Sequence, residues 1–311
     1  SVLLGPISDC GENEVPEMRN NWWRRVLLMS VSALSLSLLT VNSSVFSSEK
    51  SPPKVSTIKK SIPVKATKAK GRLSVVRLKI QVPCRAWVPL KGQPKLILLC
   101  VHGLGLNSAS YEDFGQRLAK AGIAAYAIDV RGFGSWMMVK GKQKLDFDSC
   151  VKDVAQALEV LHTAYPDRPV FILGESMGGA IALRVTAEHP ELVDGLVSCV
   201  PSGDRFHKTK DKLKVALRVM ALQRNRQFDV GSKVIEEATD NLTVRTNWKE
   251  DPFNRLKLSA NELWQFQKFM NDNHENAKKI VKTPVLLVAG LNDKLVKPQG
   301  TIDLYQELST P

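Results

Sequence analysis

The stretch PVFILGESMGG, residues 169–179, decides the fold of this chain. Its first residues form a short apolar run typical of a buried strand, and the GESMGG that follows leads directly into helical periodicity over residues 177–188. A G-x-S-x-G pattern between a strand and a helix presents a nucleophilic serine on a sharp turn. We therefore expect a strained backbone at Ser176, with Gly174 and Gly178 present because neighbouring backbone passes where a Cβ would clash. The Ser176 hydroxyl is predicted at the C-terminal edge of a sheet, beside the positive end of a helix dipole.

A nucleophilic serine needs N–H donors for the oxyanion that forms when it attacks a carbonyl group. The residue after it, Met177, can supply one of them. The second is expected from the loop after an earlier strand, where HGLG occupies residues 102–105, so the N–H of Leu104 is the candidate. His102 and Gly103 are interpreted as residues that shape this loop. His102 is not expected to transfer a proton in the reaction.

Around this stretch, short apolar strands alternate with helices. The sequence predicts strands at residues 73–82, 85–90, 95–101, 123–129, 169–173, 192–200 and 284–289, and helices at 111–121, 147–165, 177–188 and 301–308. This alternation indicates a mostly parallel sheet covered by helices on both faces. Residues 203–280 break the alternation with amphipathic helical pieces and no convincing strand, which indicates an inserted helical cap. Residues 73–202 and 281–311 are then the two parts of an α/β core.

The charge of the chain is concentrated in one segment. The 311 residues carry 44 Lys and Arg against 31 Asp and Glu, a formal charge of +13. Residues 49–95 hold 13 of the basic residues and a single acid, so the remainder is almost neutral. A nucleic-acid-binding domain would need the basic surface on its folded body, and we expect no nucleic-acid partner. The five cysteines show neither zinc nor C-x-x-C spacing, so neither a metal site nor a disulfide framework is expected; they are Cys10, Cys84, Cys100, Cys150 and Cys199.

The N-terminal part has the layout of a targeting segment. Three arginines precede a mostly apolar run within residues 18–46, and a small polar cluster ends it, which predicts a signal peptide or a membrane anchor. Residues 1–17, before Met18, are interpreted as a spurious or disordered leader. The basic residues 47–72 are predicted to be a flexible linker, which either contacts anionic lipid head groups or only keeps the chain soluble. The expected location is membrane-associated or exported, with the orientation open because basic residues stand on both sides of the apolar run.

Four motifs resemble the α/β-hydrolase superfamily, and within it the monoacylglycerol lipase and lysophospholipase group. They are HGLG at 102–105, DVRGFGSW at 129–136, GESMGG at 174–179 and AGLNDKLV at 289–296. The resemblance covers residues 75–311 and implies the α/β-hydrolase fold with a lipid-facing cap. Because Gly290, Asp293 and Val296 fit the G-x-x-D-x-x-V pattern of the family, it also implies that Asp293 is the acid of a catalytic triad.

The function that the resemblance implies is hydrolysis of carboxylic esters of lipids, such as monoacylglycerols or lysophospholipids, through an acyl-enzyme on Ser176. It implies a lipid ester as partner, and neither a metal nor a cofactor. The head group, the acyl length and the oligomeric state are left open.

The resemblance also implies a catalytic histidine after the acid, whereas all five histidines of this sequence precede Asp293. The final strand, the histidine and the last helix of the family are therefore expected to be missing, either because the sequence is a fragment or because the base has been lost. The alternative function is a non-catalytic α/β-hydrolase-like binding protein or an inactive remnant. These 311 residues are expected to be nearly inactive, because losing one triad member costs about 10⁴- to 10⁶-fold in rate.

Overall fold

The computed structural model describes residues 80–201 and 225–310, and we restrict the structural account to them. The strands are β1 (Cys84–Trp87), β2 (Leu96–Val101), β3 (Ile123–Ile128), β4 (Val170–Glu175), β5 (Gly195–Cys199), β6 (Gln227–Asp229), β7 (Lys257–Ser259) and β8 (Val285–Val288). The α-helices are α1 (Glu112–Lys120), α2 (Phe147–Ala164), α3 (Met177–Glu188), α4 (Gly231–Ala238), α5 (Leu242–Glu250), α6 (Ala260–Asn271), α7 (Asn273–Lys279) and α8 (Pro298–Glu307).

Six of these strands form one sheet in the order β1-β3-β2-β4-β5-β8. Strand β1 pairs antiparallel with β3, and every other neighbouring pair is parallel. Each residue of β2 and β3 is buried, as expected for apolar strands of a parallel sheet that is covered on both faces. The predicted mostly parallel sheet with helices is confirmed.

The parallel arrangement decides where the chemistry can lie. Strands β4, β5 and β8 are neighbours and point the same way, so their C-terminal ends meet at one edge of the sheet. Ser176 follows β4 and Asp293 lies in the loop after β8, which puts both residues on this edge, with β5 between their strands. Strand β8 is itself the last strand of the sheet, and all four of its apolar side chains are partly exposed.

The inserted segment differs from its prediction. Residues 225–280 contain helices α4 to α7, but they also contain the short antiparallel pair β6–β7, so the expectation of no strand was wrong. Strands of three residues are too short to show the alternation by which a strand is recognised in a sequence. Residues 202–224 of the insert lie outside the described residues.

The predicted strand at 73–82 lies mostly outside the described residues, and the part that is described, from residue 80, is not a strand. Pairing begins instead at Cys84. The three predicted N-terminal segments, 1–17, 18–46 and 47–72, also lie outside. In the two described ranges, no helix is both long and apolar enough to cross a membrane.

A stack of aromatic rings joins the insert to the core. Phe147, the first residue of α2, lies with its ring centroid 4.0 Å from that of Phe269 and 6.4 Å from that of Phe266. All three side chains are buried, and the two partners lie on α6. Aromatic contacts of this kind stabilise beyond the area that they bury, so the C-terminal half of the insert is fixed to the sheet-covering helix.

Candidate active site

The turn between β4 and α3 holds Ser176 in a rare backbone conformation. Its φ of 52° and ψ of −112° confirm the strain predicted from the sequence, since non-glycine residues seldom adopt positive φ. A Cβ on Gly174 would overlap the carbonyl of Gly178, and a Cβ on Gly178 would overlap the carbonyl of Val101. The predicted need for glycine at both positions is therefore confirmed, because the turn packs backbone against backbone. The Ser176 N–H donates to the Cys199 carbonyl over 2.8 Å, which fixes the turn to β5.

The Ser176 hydroxyl is left available for chemistry. It does not cap helix α3, and it has no hydrogen bond to any described residue. Met177 is the first residue of α3, so its N–H has no acceptor within the helix. A hydroxyl and a free backbone donor thus stand next to each other at the positive end of the helix dipole.

The loop at residues 102–108, which we call the oxyanion loop, passes directly beside this turn. A Cβ built on Gly103 would lie 3.8 Å from the Cβ of Ser176 and 3.5 Å from the Glu175 carbonyl oxygen. These are ordinary van der Waals distances, so the loop lies in contact with the turn. The Leu104 N–H, next in the loop, donates no hydrogen bond to the described residues. The loop therefore brings a second unpaired donor to the side of the turn, which is the arrangement that an oxyanion hole requires. The assignment of Leu104 and Met177 to that role stays a prediction.

His102 fastens the start of this loop. Its Nδ1 lies 2.8 Å from the Gly103 carbonyl oxygen and its Nε2 accepts the Val130 N–H over 2.9 Å, so we assign the neutral tautomer with the proton on Nδ1. Complete burial lowers the pKa of this imidazole, and the hydrogen bond to Gly103 and the charge of Asp129 oppose the shift only in part. Because both ring nitrogens are hydrogen-bonded, the imidazole links the oxyanion loop to the segment that follows β3.

Asp129 makes a second link between the oxyanion loop and the loop after β3, a role that was not predicted for it. Its carboxylate accepts the N–H of Ser108 over 2.9 Å and that of Ser135 over 2.8 Å, while its carbonyl accepts the indole N–H of Trp136. Gly134 has φ of 55° and a Cβ there would overlap this carboxylate. The signal that could have found Asp129 is its place in DVRGFGSW, as an acid directly after a buried strand at the edge that carries the chemistry.

Asp293 presents one carboxylate oxygen to its own loop. Its Oδ1 accepts the N–H groups of Leu295 over 2.7 Å and Val296 over 2.8 Å, and its Oδ2 has no hydrogen bond within the described residues. Burial raises the pKa of Glu175, the neighbour of Ser176, and the negative charge of Asp293 raises it further. Asp293 therefore lies close enough to the turn after β4 for its negative charge to affect the pKa of Glu175. Its role as the acid of a triad stays a prediction.

The four histidines that the structure describes have other partners. His162 Nε2 lies 3.0 Å from the Leu192 carbonyl oxygen, His189 Nδ1 lies 3.7 Å from the Glu191 carboxylate, and His274 Nδ1 lies 2.7 Å from that of Glu307. Both ring nitrogens of His102 are hydrogen-bonded as described above. None of these four forms a hydrogen bond with Ser176, and His207 lies outside the described residues.

Within residues 80–201 and 225–310, no three acidic, histidine or cysteine side chains are grouped as a metal site would need. The cysteines described there are free thiols, and burial raises the pKa of Cys84 and of Cys199 to about 12. Thiols with such pKa values are poor nucleophiles at neutral pH, and the assignment of Ser176 as the nucleophile stays a prediction.

Known proteins are similar to this chain over the residues that hold the candidate site. The family model Hydrolase_4, described as serine aminopeptidase, S33, matches residues 92–311. A monoglyceride lipase homolog of Monkeypox virus is 26% identical over 226 residues, which are 72% of this chain and 79% of that protein. The human monoglyceride lipase is 38% identical over 120 residues, only 38% of either chain.

Two solved structures share the fold. The monoacylglycerol lipase of Paleococcus ferrophilus superposes with a TM-score of 0.60 at 23% identity, over 74% of this chain and 85% of that one. A soluble variant of monoglyceride lipase from Saccharomyces cerevisiae, in complex with a substrate analog, gives a TM-score of 0.63 at 20% identity, over 75% of this chain and 85% of that one. The predicted fold class is confirmed.

Proposed function

The chain belongs to the serine aminopeptidase S33 family of α/β hydrolases, and from this premise we propose that it is a serine hydrolase that cleaves carboxylic esters of lipids. One observation carries the proposal. The strained turn at Ser176 presents a hydroxyl beside the oxyanion loop and next to the N–H of Met177, and neither group has a hydrogen bond to the described residues. A site of this composition is suited to acyl transfer, because it joins a nucleophile to donors for the charge that develops on the carbonyl oxygen.

The proposed reaction has two halves. The Ser176 Oγ attacks the ester carbonyl carbon and gives its proton to a general base, while the carbonyl oxygen becomes an oxyanion held by the N–H groups of Leu104 and Met177. The intermediate then expels the alcohol, which takes that proton, and leaves an acyl group on Ser176. Water then gives a proton to the base as its oxygen attacks the acyl carbon. The bond from that carbon to Ser176 Oγ breaks, Oγ takes the proton back, and the fatty acid leaves.

Asp293 would orient an imidazole base through Oδ2, which has no hydrogen bond to the residues that the structure describes, and would stabilise the imidazolium that forms. None of the four described histidines lies in hydrogen-bond contact with Ser176, so we do not assign the base to any of them. Added imidazole can take the place of this base in an experiment, and the tests below include it.

The lipid class of the substrate is supported by the relatives. The viral and human proteins are named for monoglyceride hydrolysis, and the insert of this chain exposes Leu242 and Trp264, at 72% and 48% of their surface, which suits contact with an acyl chain. The name of the family favours a second candidate, cleavage of an N-terminal amino acid from a peptide. The same nucleophile and oxyanion donors would serve both reactions, so only substrates can separate them.

The test is a comparison of substrates with the purified protein in buffer containing imidazole. We expect fatty acid release from monolauroylglycerol and from lauroyl lysophosphatidylcholine, none from alanine p-nitroanilide, and none from any of them with Ser176→Ala. Ser149→Ala, which removes a half-buried hydroxyl that donates to Asp146 at the start of α2, is the matched control and keeps the wild-type rate. Cleavage of the anilide but not of the esters would favour the peptidase, and no Ser176-dependent cleavage would favour a binding protein.

We also propose that residues 18–46 deliver or anchor the protein at a membrane and that the basic residues 47–72 lie against anionic head groups. The apolar run with arginines before it supports this. The test is sedimentation of the protein with vesicles of phosphatidylcholine alone or with added phosphatidylserine. Binding that needs phosphatidylserine and weakens with salt is the expected result, and equal recovery in the supernatant with both vesicles would contradict it.

A further inference from the structure

The segment at residues 251–255, which follows helix α5 of the insert, reaches across to the oxyanion loop. The Asn107 Nδ2 donates to Asp251 Oδ2 over 2.9 Å and to Asn254 Oδ1 over 2.8 Å. Asn107 is 3% exposed, so these bonds satisfy an amide group that water hardly reaches. A buried polar group with fixed partners holds the backbone that carries it.

Both acceptors are fixed in turn by their own segment. Asp251 Oδ1 accepts the Phe253 N–H over 2.8 Å, and Asn254 Nδ2 donates to the Trp248 carbonyl over 2.7 Å. These contacts fix the side-chain orientations of both acceptors. The segment therefore holds an oriented pair of acceptors against the loop.

A backbone contact lies closer still to the proposed oxyanion donor. The Arg255 N–H donates over 2.9 Å to the carbonyl of Gly105, the residue directly after Leu104. Gly105 has φ of 86°, and a Cβ there would lie 3.4 Å from the Arg255 carbonyl oxygen, so the two backbones run against each other. The Arg255 guanidinium also donates to the Gly132 carbonyl, in the loop that follows β3.

We propose that Asp251, Asn254 and Arg255 are positioning residues of the oxyanion hole, which hold the Leu104 N–H toward the carbonyl that Ser176 attacks. The inference rests on the proposed function, since it assigns a role within that reaction. His102 and Asp129 fasten the oxyanion loop to β3, but the donor itself lies between His102 and Asn107. Asp129 holds Ser108, just beyond this span, and the segment from the insert holds Gly105 and Asn107 directly after the donor. The insert therefore takes part in building the catalytic edge.

The test has one readout of position and one of reaction. Asp251→Ala combined with Asn254→Ala removes both acceptors of Asn107. Hydrogen exchange followed by mass spectrometry is expected to show faster exchange, by about 10-fold or more, for the peptide that covers residues 103–110, with the sheet unchanged. Acylation of Ser176 by p-nitrophenyl butyrate in imidazole buffer, measured by mass, is expected to lose about 10- to 100-fold in maximal rate at a similar half-saturating ester concentration.

The reciprocal exchange Asn107→Asp with Asp251→Asn separates positioning from general damage. Asn107→Asp alone sets a carboxylate oxygen against both acceptors. Adding Asp251→Asn supplies a donor from residue 251 and restores that one bond with its direction reversed, while the bond to Asn254 stays lost. We expect the double variant to recover part of the acylation rate that Asn107→Asp loses, as a coupled pair should. Glu236→Ala removes the exposed contact with Lys249 on the same insert and is expected to leave both readouts unchanged.

Unchanged exchange in the 103–110 peptide after loss of both acceptors would overturn the inference. Equal losses of the maximal rate in Asn107→Asp and in the double exchange variant would overturn it as well. If the wild-type protein shows no acylation at Ser176, the proposed function fails, and hydrogen exchange still decides whether the segment holds the loop.

Discussion

Replacing Glu262 is a direct test of how the insert is held against the core. Its two carboxylate oxygens each lie 2.8 Å from a guanidinium nitrogen of Arg255, and they also accept N–H groups of Leu145 over 3.0 Å and Ser259 over 2.9 Å. The side chains of the pair are 4% and 16% exposed, so Glu262→Gln leaves a largely buried guanidinium without its counter-charge.

Breaking a buried ion pair by removing one partner costs about 3–5 kcal/mol. Two features of this pair favour the lower end of that range. Arg255 keeps the carbonyls of Gly132 and Gln143 as acceptors, and the glutamine keeps one oxygen for the backbone donors. We therefore expect Glu262→Gln to lower the free energy of unfolding by about 3 kcal/mol at pH 7, measured by urea unfolding followed through tryptophan fluorescence.

The same carboxylate makes a pH prediction. Burial alone would raise the pKa of Glu262, but the hydrogen bonds from Arg255, Ser259 and Leu145 together lower it below its ordinary value of 4.5. A carboxylate with a lowered pKa in the folded state stabilises the fold above pH 4.5, and this contribution is lost as the pH falls below that value. The difference between wild type and Glu262→Gln is therefore expected to shrink below pH 4.5.

A matched exposed control is Glu236→Gln, because Glu236 pairs with Lys249 at the surface of the same insert. Such pairs contribute little to stability, and we expect no measurable change. A difference below about 1 kcal/mol for Glu262→Gln at pH 7, or a difference that stays constant from pH 7 to pH 3.5, would refute the account of this contact.

Three further predictions concern single side chains. Gly178→Ala is expected to lower the free energy of unfolding by about 2 kcal/mol or more and to abolish acylation of Ser176, because the added Cβ overlaps the carbonyl of Val101. Urea unfolding measures the first effect, and peptide mass spectrometry of the acylated residue measures the second. His102 has a pKa below its ordinary 6.5, so the wild type should lose stability between pH 7 and pH 5.5 in thermal unfolding, and His102→Gln should lose less. Phe147→Ala removes the ring stacked on Phe269 and should cost about 3–5 kcal/mol in urea unfolding, whereas a cost under about 1 kcal/mol would show that the stack does not join insert and core.

The elements with a strong local signal were predictable from the sequence. The strand, turn and helix around Ser176 could be predicted because the glycine spacing, the apolar run and the helical periodicity all lie within twenty residues. The buried strands β2 and β3 were recognised for a similar reason, since continuous apolar runs are typical of a sheet covered on both faces. Strands β6 and β7 were missed, because three residues carry no periodicity.

The contacts that shape the candidate site could not be predicted in the same way. The bond from Asn107 to Asp251 joins residues 144 positions apart, and that from Leu145 to Glu262 joins residues 117 apart. Neither pair has a recognisable spacing, since the pairing depends on how the insert folds back onto the core. Asp129 lies within the DVRGFGSW motif, yet its two N–H partners follow only from the way the oxyanion loop and the loop after β3 pack together.

The central claim is that Ser176 is the nucleophile of this chain, and covalent mapping tests it most directly. The polypeptide of residues 1–311 is incubated with p-nitrophenyl butyrate, with and without imidazole, and the acylated residue is identified by peptide mass spectrometry. We expect one butyryl group on Ser176, formed faster as imidazole is added, and none at this position in Ser176→Ala. Acylation that is spread over surface lysines and proceeds equally in wild type and Ser176→Ala would contradict the account.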